Sequence, residues 1–254
     1  MTRAADSGVL LSTRGLSRSY GQFKAVDGVD LDVREHDIHV FIGPNGAGKS
    51  TVLNLLGGQI LPTAGEIIFD GKSLGTSTPS ARARAGIGRS FQLTSIIPGF
   101  TCLENVVLAV QAHRGLFGLL RLNSKHEDIA LANDLLALVD LRAAAGVPAE
   151  LLSHGQQRQL EIAVALGSRP RLLLLDEPSS GMSAHERAQL GDLLKRVVNT
   201  ATVVMAEHDV HVVRTVANRV TAFAEGKKLA EGSADEVFDS ADVKRVFLRG
   251  RRDA

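Results

Sequence analysis

The chain has 254 residues, 29 Lys+Arg against 28 Asp+Glu for a net charge of +1, and 44% hydrophobic residues. That length and composition fit one large folded α/β unit and exclude a disordered chain, and the charge balance gives no global reason to expect a nucleic-acid partner. A single cysteine, Cys102, excludes an intrachain disulfide, and no apolar run reaches the ~18 residues that a bilayer span requires.

In chain order, Met1–Val9 carry Arg3 and Asp6 without an apolar stretch, so no secretory leader is expected. Val9 to Val33 alternate apolar and polar residues between Gly15, Gly21 and Gly28, which predicts a small antiparallel sheet. Ile38–Ile42 is a short apolar strand ending at Gly43, and a helical pattern runs from Ser50 to Gly57. Gly65–Gly71 is a further strand. From Thr101 to about Leu166 the apolar spacing is mostly helical. Thr101-x-x-Glu104, Ser124-x-x-Glu127 and Ser153-x-x-Gln156 are capping-box starts. Arg171–Leu175 is the near-continuous apolar run expected of a central parallel strand, Ser183-x-x-Glu186 opens the next helix, and Thr202–Ala206 is the strand after it. The order predicts an α/β core with a helical insert at roughly 95–165. The end of the chain, with Lys244, Arg245, Arg249, Arg251 and Arg252, is expected as a solvated, frayed tail rather than a lipid or nucleic-acid binder.

Gly43-Pro44-Asn45-Gly46-Ala47-Gly48-Lys49-Ser50, followed by Thr51, matches G-x-x-x-x-G-K-[ST] at every fixed position, between a strand and a helix. Glycines let such a loop turn successive N–H groups inward onto phosphate oxygens, and the helix that follows adds its positive end. Lys49 would meet the β- and γ-phosphates and the Ser50 hydroxyl would ligate Mg²⁺. Downstream, Leu172–Leu175 lead into Asp176-Glu177. An aspartate there can hold Mg²⁺ and the next carboxylate can polarise a water.

Leu152-Ser153-His154-Gly155-Gln156-Gln157 resembles the L-S-G-G-Q signature of ATP-binding cassette (ABC) ATPases. Other elements follow that family's order: Tyr20 resembles the aromatic that stacks on adenine, Gln92 the Q-loop glutamine, Ser180–Ser183 the D-loop, and His208 the switch histidine. His154 replaces the signature's first glycine and Ser183 the usual D-loop aspartate. The resemblance covers residues 9–248 and implies a P-loop NTPase cassette, with 9–94 and 168–248 as the nucleotide-binding α/β core and its antiparallel β subdomain. Residues 95–167 would be the inserted helical subdomain and 249–254 a basic tail.

The same resemblance implies ATP and Mg²⁺ as ligands. Ser50, Gln92 and Asp176 would face the metal, with Glu177 as general base assisted by His208, Gln92 and Lys49. It further implies that Ser153, Gly155 and Gln156 cap the ATP of a second, head-to-tail cassette. Gly86–Gln92, Leu152–Glu161 and Ala230–Ser233 resemble ATPases of branched-chain amino acid and urea importers. The expected setting is then the inner face of a cell membrane, as a peripheral subunit beside permease subunits and, indirectly, a periplasmic or surface substrate-binding protein. Ile96, Ile97, Pro98, Phe100 and Leu103 form an apolar cluster suited to dock the permease. An exporter or lipopolysaccharide-transport ATPase would carry the same site with another membrane partner. A DNA-repair or translation cassette is disfavoured by the lack of coiled-coil inserts or a second cassette.

Overall fold

The computed structural model describes residues 8–89, 96–113 and 126–250. Two sheets organise it. Strands β1 (Val9–Tyr20) and β2 (Phe23–Arg34) form an antiparallel hairpin with Tyr20 opposite Phe23. β1 pairs on its other edge with β4 (Ala64–Phe69), and β5 (Lys72–Ser73) completes the order β2-β1-β4-β5.

The second sheet holds β3 (Ile38–Ile42), β6 (Ile87–Arg89), β7 (Leu172–Asp176), β8 (Thr202–Ala206), β9 (Arg219–Ala224) and β10 (Lys227–Gly232), in the order β10-β9-β3-β8-β7-β6. All neighbours are parallel except β9 and β10, which form a hairpin.

β3, β7 and β8 are buried along their whole length, which explains their unbroken apolar runs. The two-residue period of a strand divides each run between two cores. Leu173, Leu175, Val203 and Met205 face one; Leu172, Leu174, Val204 and Ala206 face the other. The second core also receives Leu11, Leu16, Val26 and Leu31 of the antiparallel sheet and Val52, Leu53, Leu55 and Leu56 of helix α1 (Lys49–Gly57). Helix α1 is thereby clamped between the two sheets. Arg82, fully buried on α2 (Pro79–Ala85), donates to the Leu55 and Leu56 carbonyls, a cation set against the negative end of α1.

The first core continues into the helical stretch of α3 (Cys102–His113), α4 (His126–Leu138) and α5 (His154–Gly167). The capping boxes expected at Thr101 and Ser153 are present, with Thr101 N–H donating to Glu104 at 2.8 Å and Ser153 N–H to Gln156 at 3.0 Å. Ser124 lies outside the described residues. Helices α6 (Ala184–Val197), α7 (Val210–Val216), α8 (Ala234–Asp239) and α9 (Ala241–Gly250) follow. The expectation of a frayed C-terminal end is corrected here. Residues 241–250 are helical, and Val243 is buried in the first core; 251–254 lie outside the described residues. Among the described residues no helix is long and apolar enough to cross a membrane.

Candidate functional site

β3 ends at Ile42, and its carboxyl end lies between those of β8 and β9, with β7 beyond β8. Ligands of open α/β sheets bind at such carboxyl ends. The loop from Gly43 to Gly48 leaves β3 there. Gly43 has φ +150, and a Cβ on it would stand 2.4 Å from the Phe223 carbonyl oxygen. Gly48 has φ +103, and a Cβ would stand 2.6 Å from the Ala25 carbonyl oxygen. Side chains at these two points would push the loop off the β-layers that hold it.

α1 then starts with no side-chain cap and no acid in its first turn, unlike α5, α6 and α8, which open on serine capping boxes. Its first N–H groups and positive dipole end are directed into the loop, the arrangement that favours an anion.

Asn45, Gly46, Ala47, Gly48, Lys49, Ser50 and Thr51 line a cavity of about 390 Å³ together with Phe23, Ala25 and Glu177. Lys49 is buried, and its ammonium donates to the Gly43 and Pro44 carbonyls at 2.7 and 3.0 Å. Burial holds its pKa below the ordinary lysine value, opposed by the carboxylates of Glu177, Asp176 and Glu207. Ser50 Oγ donates to Asp176 Oδ1 at 3.0 Å. Among the described residues, Asp176 Oδ2 is buried without a hydrogen bond and has the Arg89 guanidinium 3.7 Å away. A hydroxyl and a carboxylate with an unbonded buried oxygen are hard oxygen donors, and they fit a small divalent cation such as Mg²⁺.

Glu177 follows β7 in the left-handed region, φ +48, with its N–H bonded to the Ala206 carbonyl at 3.0 Å. That turn carries Glu177 to the wall of the cavity. Just past the neighbouring strand β8, fully buried Glu207 accepts from His208 N–H (2.8 Å) and Asp209 N–H (3.2 Å) through Oε1, and from Ser179 N–H (3.3 Å) through Oε2. His208 is exposed, its Nδ1 3.6 Å from Glu207 Oε1. Arg187 adds a second brace, donating to the Met182 carbonyl at 2.7 Å and pairing with Asp209 at 3.2 Å. These contacts tie the turns after β7 and β8 to each other.

The signature residues lie apart from this cavity. Ser153, Gly155 and Gln156 line a smaller one of about 50 Å³ with Met182, Glu186 and Gln189, and none of them lines the cavity of Lys49. Tyr20 also stands off: the Arg18 guanidinium covers its ring at 4.5 Å, while Phe23, across the hairpin and 64% exposed, lines the cavity instead. Gln92 lies outside the described residues.

The apolar cluster after Gln92 divides. Ile96 is in the first core, whereas Ile97 and Phe100 are exposed. The sequence motifs missed three residues here. Phe23 has an ordinary hairpin context, and Glu207 and buried Asn105 act through backbone groups that no spacing announces. Asn105 donates to the carbonyls of Ile97, Phe100 and Thr101 at 3.0–3.2 Å and fixes that exposed loop.

Comparison with known proteins bears on these features. The family model described as ABC transporter matches residues 26–180. The high-affinity branched-chain amino acid transport ATP-binding protein BraF of Pseudomonas aeruginosa is 35% identical, over 94% of this chain and 97% of its own length. Among solved structures, the ADP conformation of MJ1267, an ATP-binding cassette of an ABC transporter, superposes with a TM-score of 0.85 at 26% identity, covering 94% of this chain and 98% of that one. The dimeric cassette MJ0796, in a post-hydrolysis state with ADP and Pi, gives 0.74 at 28% identity, over 89% and 99%.

Proposed function

Since the chain belongs to the ABC transporter family of ATP-binding subunits, we propose that it hydrolyses ATP to drive import of branched-chain amino acids through a membrane permease. The observation that carries the reading is the cavity in which the loop 45–51, Lys49, Ser50 and Glu177 meet. BraF, similar over nearly the whole of both chains, supports the cargo.

The loop N–H groups and the start of α1 would bind the phosphates, and Lys49 would turn from the Gly43 and Pro44 carbonyls to the β- and γ-phosphates. Phe23 or Tyr20 at the hairpin would carry the adenine face. Ser50 and Asp176, with Gln92, would hold Mg²⁺, which when bound neutralises charge on the phosphate oxygens. Glu177 would take a proton from the water that attacks the γ-phosphorus, as the bond to the β-phosphate oxygen breaks and ADP and phosphate form. Buried Glu207 holds the His208 backbone beside that turn, from which His208 would position water and phosphate.

Ser153, Gly155 and Gln156 stand away from the chain's own cavity, and MJ0796 is dimeric. Both facts support a head-to-tail pair in which one cassette's signature caps the ATP of the other, whether a second copy or a related chain. Hydrolysis would remove the γ-phosphate that bridges them. The insert 95–167, with Ile97 and Phe100 exposed, would pass this motion to the permease at the inner membrane face. A separate binding protein would deliver the cargo.

The test is accumulation of labelled leucine in cells lacking the chain. Wild type restores it and Lys49→Ala does not. Leucine uptake independent of the chain, with efflux of another compound lost, would replace import by export.

A further inference from the structure

Asp176 ends β7 on the face that Leu172 and Leu174 turn to the second core, because side chains two apart along a strand share a face. Arg89 lies opposite Leu174 on β6, two residues beyond Ile87 of the same core, and so stands on that side as well. Its side chain is 9% exposed and that of Asp176 1%. The guanidinium spans two partners. Nη1 donates to Gln59 Oε1 at 2.8 Å, and Nη2 lies 3.7 Å from Asp176 Oδ2. Gln59 follows the Gly58 cap of α1 and is fixed by its own N–H bond to the Asn54 carbonyl at 3.0 Å. Among the described residues, Arg89 Nε and Asp176 Oδ2 are both buried without a hydrogen bond. An arginine whose whole task was to neutralise a buried carboxylate would close on it with the two parallel bonds its fork permits. Here Gln59 holds one arm, and the ion pair stays longer than a hydrogen bond.

We propose that Arg89 is a positioning residue of the metal site: tethered by Gln59, its guanidinium stands beside Asp176 Oδ2 as an internal cation and opposes the Mg²⁺ that Asp176 and Ser50 would hold. The inference rests on the reading of that site given above and deepens it. Without the divalent ion, the arginine compensates a buried carboxylate that would otherwise be costly. With it, two cations share one carboxylate, and their repulsion loosens the ion. The tether leaves Oδ2 unbonded and therefore able to serve as a ligand. The effect falls on product as well as substrate, so magnesium-bound ADP is held less tightly than the loop and Lys49 alone would allow.

Binding of fluorescent ADP, in chelator and in saturating Mg²⁺, tests this. ADP is not hydrolysed and lacks the γ-phosphate that would bridge two cassettes. Arg89→Met keeps the apolar stem and removes the charge. Its ADP affinity in chelator is expected within about twofold of wild type, and its affinity in Mg²⁺ roughly tenfold tighter, the low end of what an adjacent arginine does to a carboxylate's hold on a proton. Arg89→Lys keeps a charge at this place and should stay near wild type in both conditions. A merely structural role would weaken both affinities together in either variant. Urea unfolding accompanies each protein, and Arg89→Gln takes the place of Arg89→Met if the latter does not fold. No gain in Mg²⁺ on removing the charge, or an equal gain in Arg89→Lys, overturns the role of Arg89. If Mg²⁺ changes ADP affinity in neither the wild type nor any variant, the metal site itself falls and takes this inference with it.

Discussion

Ser50 and Asp176, 126 residues apart, meet at 3.0 Å where α1 begins and β7 ends. The contact joins the phosphate-binding loop to the strand that carries the carboxylates, so a Mg²⁺ bound there would be held from both sides. Ser50→Ala should raise the magnesium concentration for half-maximal hydrolysis by roughly ten- to a hundredfold. Nucleotide binding without metal should change little. Titration of hydrolysis against magnesium, beside fluorescent-nucleotide binding in chelator, separates the two. Unchanged magnesium dependence would remove Ser50 from the metal site.

Glu177 stands at the cavity wall on a left-handed turn, φ +48. Glu177→Gln keeps the shape and the ATP affinity and should cut turnover by ~10²–10⁴, the range for a lost general base. Steady-state hydrolysis with a direct binding measurement checks it. A turnover loss matched by an equal loss of affinity would make Glu177 a binding residue instead.

Glu207 is buried and satisfies backbone N–H groups on two turns. Glu207→Ala leaves those donors without an acceptor and should cost about 2–4 kcal/mol of stability. It should also lower kcat, because Ser179 and His208 lose their common anchor. Urea unfolding and kcat are the two readouts, and a variant that loses neither would show that water fills the place without penalty.

His39 on β3 is buried, its Nε2 2.7 Å from the Thr221 hydroxyl, and desolvation lowers its pKa to about 4. Glu231 pulls the value up, while Arg219 and Lys228 push it down. The folded protein therefore keeps His39 neutral in a range where the unfolded chain, near 6.5, takes up a proton. Stability is unaffected above about pH 6.5 and falls as pH drops toward 4, by up to about 3 kcal/mol from this group. Denaturant midpoints at pH 7.5, 6 and 5 should fall less steeply for His39→Gln, which does not titrate. Equal slopes for both proteins would place the acid sensitivity elsewhere.

The sequence by itself determined the parts of this protein whose physics is local. Residues 43–50 need glycine where a Cβ would strike the β-layers, and a lysine and a hydroxyl at the start of the helix, so the loop is legible from spacing alone. The same holds for the capping boxes at Thr101, Ser153 and Ser183, closed between residues three apart, and for the apolar runs of β7 and β8. The tertiary structure alone decided what depends on distant segments meeting. It put Phe23 rather than Tyr20 on the cavity wall, while the Arg18 guanidinium covers the Tyr20 ring. It sent Ile96 inward while leaving Ile97 and Phe100 exposed on a loop held by Asn105. It extended α9 to Gly250, with Val243 buried in the core. Most of all, it laid the Glu186 carboxylate beside Gly155, with Oε1 2.6 Å from where a Cβ there would stand, a juxtaposition of two helix starts that each read as an ordinary cap in sequence. Pattern and spacing report what a segment does to itself; which side chain meets which backbone group across the fold is set by the packing of sheet and helices.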